Sequence, residues 1–172
     1  MMRGMTIHNP WAWAIAYGYK PIENRGTNVN YRGPVAIHAG QRWSDRGGDD
    51  PRIRQAAQTA RDRGEVRAVL DITRGYADTY GVIVYGAIIA VAQLVNVHPA
   101  NGCCPPWGDH TYTRGTGVVV PCHHLVLKDV RRLREPVPCR GQQIPLWQVP
   151  DDVQAQLEAV SPNPTAPQEV NQ

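Results

Sequence analysis

The run Gly81-Val82-Ile83-Val84-Tyr85-Gly86-Ala87-Ile88-Ile89-Ala90-Val91-Ala92-Gln93-Leu94-Val95-Asn96-Val97 leaves this chain the fewest choices. Its β-branched residues lose side-chain freedom in a helix and pack well on a pleated surface, so it reads as strand. It is too long for one straight strand, and Gly86 offers the bend or turn that divides it. Residues 5–8 read as a first strand. After a turn at Tyr31-Arg32-Gly33-Pro34, Val35-Ala36-Ile37-His38-Ala39 reads as a strand of alternating faces with His38 at its end. Further strands are expected at residues 122–127 and 146–149.

Helices are short and marked by their ends. Asn9 can cap and Pro10 can occupy the first turn of a helix through Trp11-Ala12-Trp13-Ala14-Ile15-Ala16-Tyr17, with Gly18 in the left-handed closing position. Asp50-Pro51 starts a second helix that reaches about Arg63 and is closed by Gly64, and another helical stretch covers residues 65–74. Both are weakly apolar, which predicts a peripheral insertion. Pro150-Asp151 starts a terminal helix with Val153, Leu157 and Val160 on one side. Many short strands, no βαβ rhythm, no internal repeat and several Gly or Pro corners predict an α+β fold, a small partly open barrel with helices attached.

With 172 residues, 42% of them apolar, the chain suits one domain with a real core. Residues 161–172, rich in Pro, Asn and Gln, are expected to form a disordered tail. No 18-residue apolar run and no signal-peptide pattern are present, so the expectation is a soluble cytoplasmic protein without a membrane partner. Charge is unevenly placed. Residues 151–172 hold Asp151, Asp152, Glu158 and Glu169 but no Lys or Arg, so the rest of the chain carries 18 basic against 11 acidic residues. That surplus favours a polyanion through counterion release, ahead of the alternative that it serves only solubility. All but Lys20 and Lys128 of the basic residues are arginine, which forks onto phosphate and stacks on bases better than lysine does.

The segment Gly18-Tyr19-Lys20-Pro21-Ile22-Glu23-Asn24-Arg25 concentrates an ammonium, a carboxylate and a guanidinium directly after the first helix. In a strand over residues 20–25, Lys20, Ile22 and Asn24 share one face, and Pro21, Glu23 and Arg25 the other, so Lys20 meets Glu23 only through a twist or bulge. Base-stacking platforms are sought among Trp11, Trp13, Trp43 and Trp107. Trp11 and Trp13 point to nearly opposite sides of a helix, which favours Trp11, nearer the helix start, for a cleft. Trp107 lies in the loop Asn101-Gly102-Cys103-Cys104-Pro105-Pro106-Trp107-Gly108, whereas Trp147 belongs to an apolar strand and is expected in the core. Lys20, Arg25 and Arg32 are the cationic candidates. Asn24 and His38 complete the binding set, although His38 and His124 also read as hydrogen-bonded strand residues. Cys103-Cys104 precedes Cys122-His123-His124 and Cys139, but the usual zinc spacings are absent, so no metal ligand and no cofactor are assigned.

In their order along the chain, Ile7-His8-Asn9-Pro10-Trp11-Ala12, the Gly18 to Arg25 segment, Tyr31-Arg32-Gly33-Pro34 with Ile37-His38-Ala39, Gly86-Ala87-Ile88-Ile89-Ala90, and Val137-Pro138-Cys139-Arg140-Gly141 with Leu146-Trp147 resemble an ASCH domain. The resemblance covers about residues 5–150, with an insertion-like helical stretch at 44–80, a terminal helix at 151–160 and the tail at 161–172. It implies a PUA-like, partly open β-barrel with peripheral helices, a basic cleft beside the Lys20-Glu23-Arg25 motif, and binding of RNA, another nucleic acid or a modified nucleoside. Some members of that family are small amidohydrolases acting on N4-acylated cytidine, and others are ribonucleases. The hydrolases use a lysine, a threonine three residues later and a distant carboxylate. Lys20 matches the lysine, Glu23 stands in the threonine's place, and no acidic residue is assigned to the third role. A catalytic version would have Glu23 activate water while Lys20 stabilises the developing oxyanion. The simpler version is an ion pair lining a binding cleft, and nucleic-acid binding is the expectation the sequence carries.

Overall fold

The computed structural model describes residues 1–17, 19–65 and 83–160. In chain order the elements are β1 (Arg3–Asn9), α1 (Trp11–Ala16), β2 (Ile22–Arg25), β3 (Gly33–Trp43), α2 (Asp45–Asp49), α3 (Pro51–Asp62), β4 (Ala87–Pro99), β5 (Thr111–Thr113), β6 (Val119–Pro121), β7 (His123–Pro138), β8 (Trp147–Gln148) and α4 (Asp151–Val160). The sheet runs β2-β7-β4-β3-β1-β8, and β5 and β6 form a separate hairpin. Among the described residues, only β1 and β3 pair in parallel.

From Ala87 the long apolar run becomes β4, flanked by β3 and β7 and covered on both faces, which explains why its sequence does not alternate, whereas residues 83–85 before the bend are not strand. Ile89, Ala90 and Leu94 pack with Ala12 and Ile15 of α1, while Ile88 and Val91 pack with Trp147 and with Val153 and Leu157 of α4. The predicted bend is real: Gly86 has φ +67° immediately before the strand. β7 extends far beyond residue 127, because its second half carries charged side chains on an exposed face that apolar patterning does not register.

Three local expectations change. Asn9 ends β1 instead of capping α1, and Pro10 takes the cap position without a side-chain hydrogen bond. The Asn9 amide donates to the Val84 carbonyl oxygen at 2.8 Å. His38 lies within β3, not at its end. Helix α3 is capped by Asp50 as expected, but its stripe of Ile53, Ala56, Ala57 and Ala60 is buried against Trp13 and Ala14 of α1. Alanine adds little to average hydrophobicity, yet at helical spacing its small side chain lets two helices approach closely. The helix is therefore peripheral only on its outer side. Gly18, the helical stretch beyond residue 65 and the tail at 161–172 lie outside the described residues.

The sheet curls. Arg25, on the end strand β2, donates through its terminal guanidinium nitrogen to the Thr6 carbonyl oxygen of β1 at 2.8 Å, bringing together strands separated by β7, β4 and β3. Among the described residues, no strand pairing closes the sheet into a continuous barrel, and no helix is long and apolar enough to cross a membrane.

Candidate functional site

Strand geometry covers only Ile22–Arg25, so Lys20 precedes it and strand alternation does not fix its direction. The ammonium turns back to Glu23, with Lys20 Nζ 2.9 Å from Glu23 Oε2, and it also donates to the Ile22 carbonyl oxygen. Arg25 shares a face with Glu23, as alternation predicts, and its Nε lies 3.3 Å from Glu23 Oε1. One carboxylate thus sits between two cations. Lys20 is 2% exposed and Glu23 7%, so water screens this contact little.

Asn24 faces away from that pair and fastens a distant loop. Its amide donates to the Trp107 carbonyl oxygen at 2.9 Å and accepts from the Asp109 backbone N–H at 3.2 Å. Asp109 thereby joins the site, where Arg46 at 2.6 Å and Arg52 at 3.1 Å hold its carboxylate. Arg52 also grips Asp50 at 2.7 Å and lies over both the Trp11 and Trp107 rings.

These elements enclose a cavity of about 410 Å³ lined by Thr6, Ile7 and His8 of β1, Trp11, Lys20, Glu23, Asn24, Arg25, Ser44, Arg46, Asp109, Tyr112, Thr113, Gly115 and Gln143. Trp11 Nε1 donates to Ser44 Oγ at 3.2 Å, and Lys20 Nζ stands 5.7 Å from the ring centre. Burial pulls the His8 imidazole below its ordinary pKa, with the charges of Arg42 and Arg25 acting in the same sense against Glu23. His8 is therefore neutral at pH 7, with one donor and one acceptor nitrogen. A smaller groove of about 160 Å³ adjoins the cavity, sharing Arg25, Tyr112 and Gln143 and adding Arg114 and Ile144.

Of the residues singled out from sequence, Trp11, Lys20, Glu23, Asn24 and Arg25 line the cavity together, and Arg32, His38 and Trp107 do not. The Arg32 guanidinium is spent on the carbonyl oxygens of Val29, Tyr31 and Val97. His38 is buried, donates to the Cys139 carbonyl oxygen at 3.1 Å and packs edge-on against Trp147. Trp107 is 6% exposed, because Asn24 and Arg52 hold its loop down and seat the indole in the core; it is not a surface stacking platform. Thr6, Ser44, Arg46, Asp109, Tyr112 and Gln143 were not singled out; each is an ordinary polar or aromatic residue, with no local sequence signal, placed there by tertiary packing.

Charge in the cavity also differs from the basic cleft expected. Its three cations, Lys20, Arg25 and Arg46, face two carboxylates and are all paired with them. Arg46 alone among them is largely open to solvent, with 58% of its side chain exposed. The cysteines separate as well. Burial pushes the Cys122 thiol up to about 11 beside Asn24, and Cys139 packs in the core near α4. Cys103 and Cys104 instead approach His98 and His124.

No protein-family model matches the chain, and no curated protein sequence matches it significantly. Solved structures do. A tyrosine-to-phenylalanine variant of an ASCH protein from Zymomonas mobilis superposes with a TM-score of 0.50 at 12% identity, covering 92% of this chain and 97% of that one. Another structure of ASCH from the same organism gives a TM-score of 0.48 at 13% identity over 92% and 94% of the two chains. At such identity the likeness is one of fold, and the fold of this chain is that of ASCH domains.

Proposed function

From an ASCH-type fold as premise, we propose that this protein is a nucleic-acid-binding module, built on a partly open PUA-like barrel, whose cavity receives one unpaired base of RNA. The carrying observation is that a cavity of about 410 Å³ adjoins a smaller groove, the two sharing Arg25, Tyr112 and Gln143 as lining. The volume falls in the usual range for small-ligand sites, about 300–1,000 Å³. Trp11 and Tyr112 offer ring faces, and His8, Glu23 and Gln143 offer donors and acceptors for a base edge. The groove gives the next nucleotide a path past Arg114, and the positive charge of residues 1–150 supplies attraction to the backbone. Phosphate contact falls to Arg46 and Arg114, with Lys20 holding the floor of the pocket.

The test is anisotropy of a fluorescent single-stranded RNA and of its duplex across a salt series. Single strands should bind more tightly, Tyr112→Ala should raise Kd by about 5- to 150-fold, as loss of one stacked base predicts, and Arg46→Ala should lower the salt slope by about 1. Equal affinity for duplex and single strand, unchanged by Tyr112→Ala or Trp11→Ala, would overturn the reading.

One observation favours a second reading: Asp109 brings a distant carboxylate to the cavity that holds Lys20 and Glu23. Glu23 would take a proton from water as the oxygen adds to the acyl carbonyl of N4-acetylcytidine, Lys20 would stabilise the oxyanion, and Glu23 would return the proton to N4 as the C–N bond breaks, giving cytidine and acetate. Turnover by the purified protein that vanishes in Glu23→Gln would establish it, and intact substrate at single-turnover enzyme concentrations would remove it.

A further inference from the structure

His98 on β4 and His124 on β7 are directly opposite in the strand register, so both imidazoles leave the same face of the sheet. Their rings stand edge to face with centres 5.3 Å apart. The loop after β4 folds back over them. It places Cys103 Sγ 3.5 Å from His124 Nδ1 and Cys104 Sγ 3.6 Å from His98 Nε2, and all four donor atoms lie within 4.8 Å of one another. Adjacent side chains on extended backbone point to opposite sides, but Cys104 has φ +65°, a conformation that β-carbon-bearing residues rarely adopt, and both thiols reach the His98 ring, Cys103 Sγ 3.7 Å from Nδ1 and Cys104 Sγ 3.6 Å from Nε2.

We infer that His98, Cys103, Cys104 and His124 bind one zinc ion as a closed structural site. Tetrahedral zinc holds sulfur at about 2.3 Å and nitrogen at 2.0–2.1 Å, which separates neighbouring S and N ligands by about 3.6 Å. The two S–N distances given above have that value. The second nitrogen of each ring is placed as a zinc-bound histidine requires: His124 Nε2 is 2.9 Å from the Asp109 carbonyl oxygen and His98 Nδ1 is 3.0 Å from the Pro99 carbonyl oxygen. Each carbonyl accepts the ring N–H and turns the other nitrogen's lone pair toward the thiols. On binding, both thiols release their protons, and two thiolates neutralise the ion while the imidazoles stay neutral. Four protein ligands leave no open position, so the role is structural.

The loop is built for such closeness. A β-carbon on Gly108 would stand 2.6 Å from His124 Cε1 and 2.7 Å from the Cys103 carbonyl oxygen. The same loop carries Trp107 into the core and Asp109 to the cavity, so the ion would brace the wall of the cavity whether that cavity binds RNA or a nucleoside. Sequence spacing hides the set, because the ligands follow as His-x4-Cys-Cys-x19-His, with one histidine inside the long apolar strand.

The test uses the full chain purified without added metal. Elemental analysis should find about one zinc per chain, retained in Cys122→Ser and Cys139→Ser and falling below about a tenth of an equivalent in Cys104→Ser and His98→Ala. Because those last variants could lose metal by failing to fold, the reduced wild-type protein is also titrated with Co²⁺. A thiolate-to-cobalt charge-transfer band together with intense tetrahedral d–d bands is expected. Zinc-free protein that gives no cobalt spectrum after reduction would overturn the inference, as would full zinc content in both Cys104→Ser and His98→Ala.

Discussion

Replacing Lys20 and Glu23 singly and together exposes how the centre of the cavity is held. At 2.9 Å and an effective dielectric of about 20, the gross attraction between the two charges is about 6 kcal/mol. Their desolvation offsets most of that, so the pair adds little net stability, while removing one partner strands the other and costs about 3–5 kcal/mol. Lys20→Met leaves Glu23 with Arg25 at 3.3 Å and should lie at the low end, about 3 kcal/mol. Glu23→Leu should lie at the high end, since it leaves two cations facing each other, one of them buried with the Ile22 carbonyl as its remaining hydrogen-bond acceptor. The double variant removes the stranded charge at position 20, and Arg25 keeps the Thr6 carbonyl, so it should lose less than either single variant, about 2 kcal/mol or under. Urea unfolding followed by tryptophan fluorescence gives these values from the midpoints, provided the slope m is unchanged. Single losses that add to the double within about 0.5 kcal/mol would refute the reasoning, because additivity would mean that the two charges do not sense each other.

Three further expectations follow from the packing. Burial depresses the pKa of both His8 and His38, for His8 with the charges of Arg42 and Arg25 and for His38 against the Cys139 hydrogen bond, so the unfolded chain takes up protons first as pH falls below 6.5. Stability is then full above that value, declines as pH drops toward the depressed folded values and levels off beneath them; a urea midpoint that stays constant from about pH 7.5 to 5.5 would contradict this. A β-carbon on Gly4 would stand 2.3 Å from the buried Trp147 ring, whose Nε1 donates to Thr6 Oγ1, so Gly4→Ala should lower stability by about 3 kcal/mol. Gly115→Ala, with nothing within 4 Å, should change the melting temperature little, and equal effects of the two would remove the steric argument. Asn24→Ala breaks both hydrogen bonds to residues 107 and 109, which predicts a loss of about 1–3 kcal/mol. Faster amide exchange confined to that loop would mark the cause, and unchanged exchange there would disprove it.

The parts of the fold legible in the sequence are those fixed by local chemistry. The β-branched run, the Gly86 bend, the Asp50-Pro51 helix start and the apolar side of α4 each depend on a few neighbouring residues. The motif from Lys20 to Arg25 was legible because its charges lie within six positions. The rest of the cavity was not, since Asp109 enters by donating its backbone N–H to Asn24, 85 positions earlier, and Arg46 through α2. Trp107 was misplaced for the same reason. Its loop has the composition of a surface turn, and only Asn24 and Arg52 draw it inward.

Net charge in the sequence and charge in the cavity answer different questions. The surplus on residues 1–150 acts over roughly a Debye length, about 8–10 Å, and favours a polyanion wherever it docks. Inside the cavity the largely buried Lys20 and Arg25 are already paired with Glu23, while Arg46, paired with Asp109, keeps 58% of its side chain exposed. A nucleobase carries no net charge, so an unpaired buried cation would gain no ion pair from it and would still bear its own desolvation cost. A self-paired floor avoids that cost while leaving oriented polar atoms for a base edge. On the proposed reading, exposed arginines such as Arg46 and Arg114 draw the strand in and the Lys20-Glu23-Arg25 group reads what enters. Substitutions in the first set should then alter the salt dependence of binding, and substitutions in the second its dependence on the identity of the base.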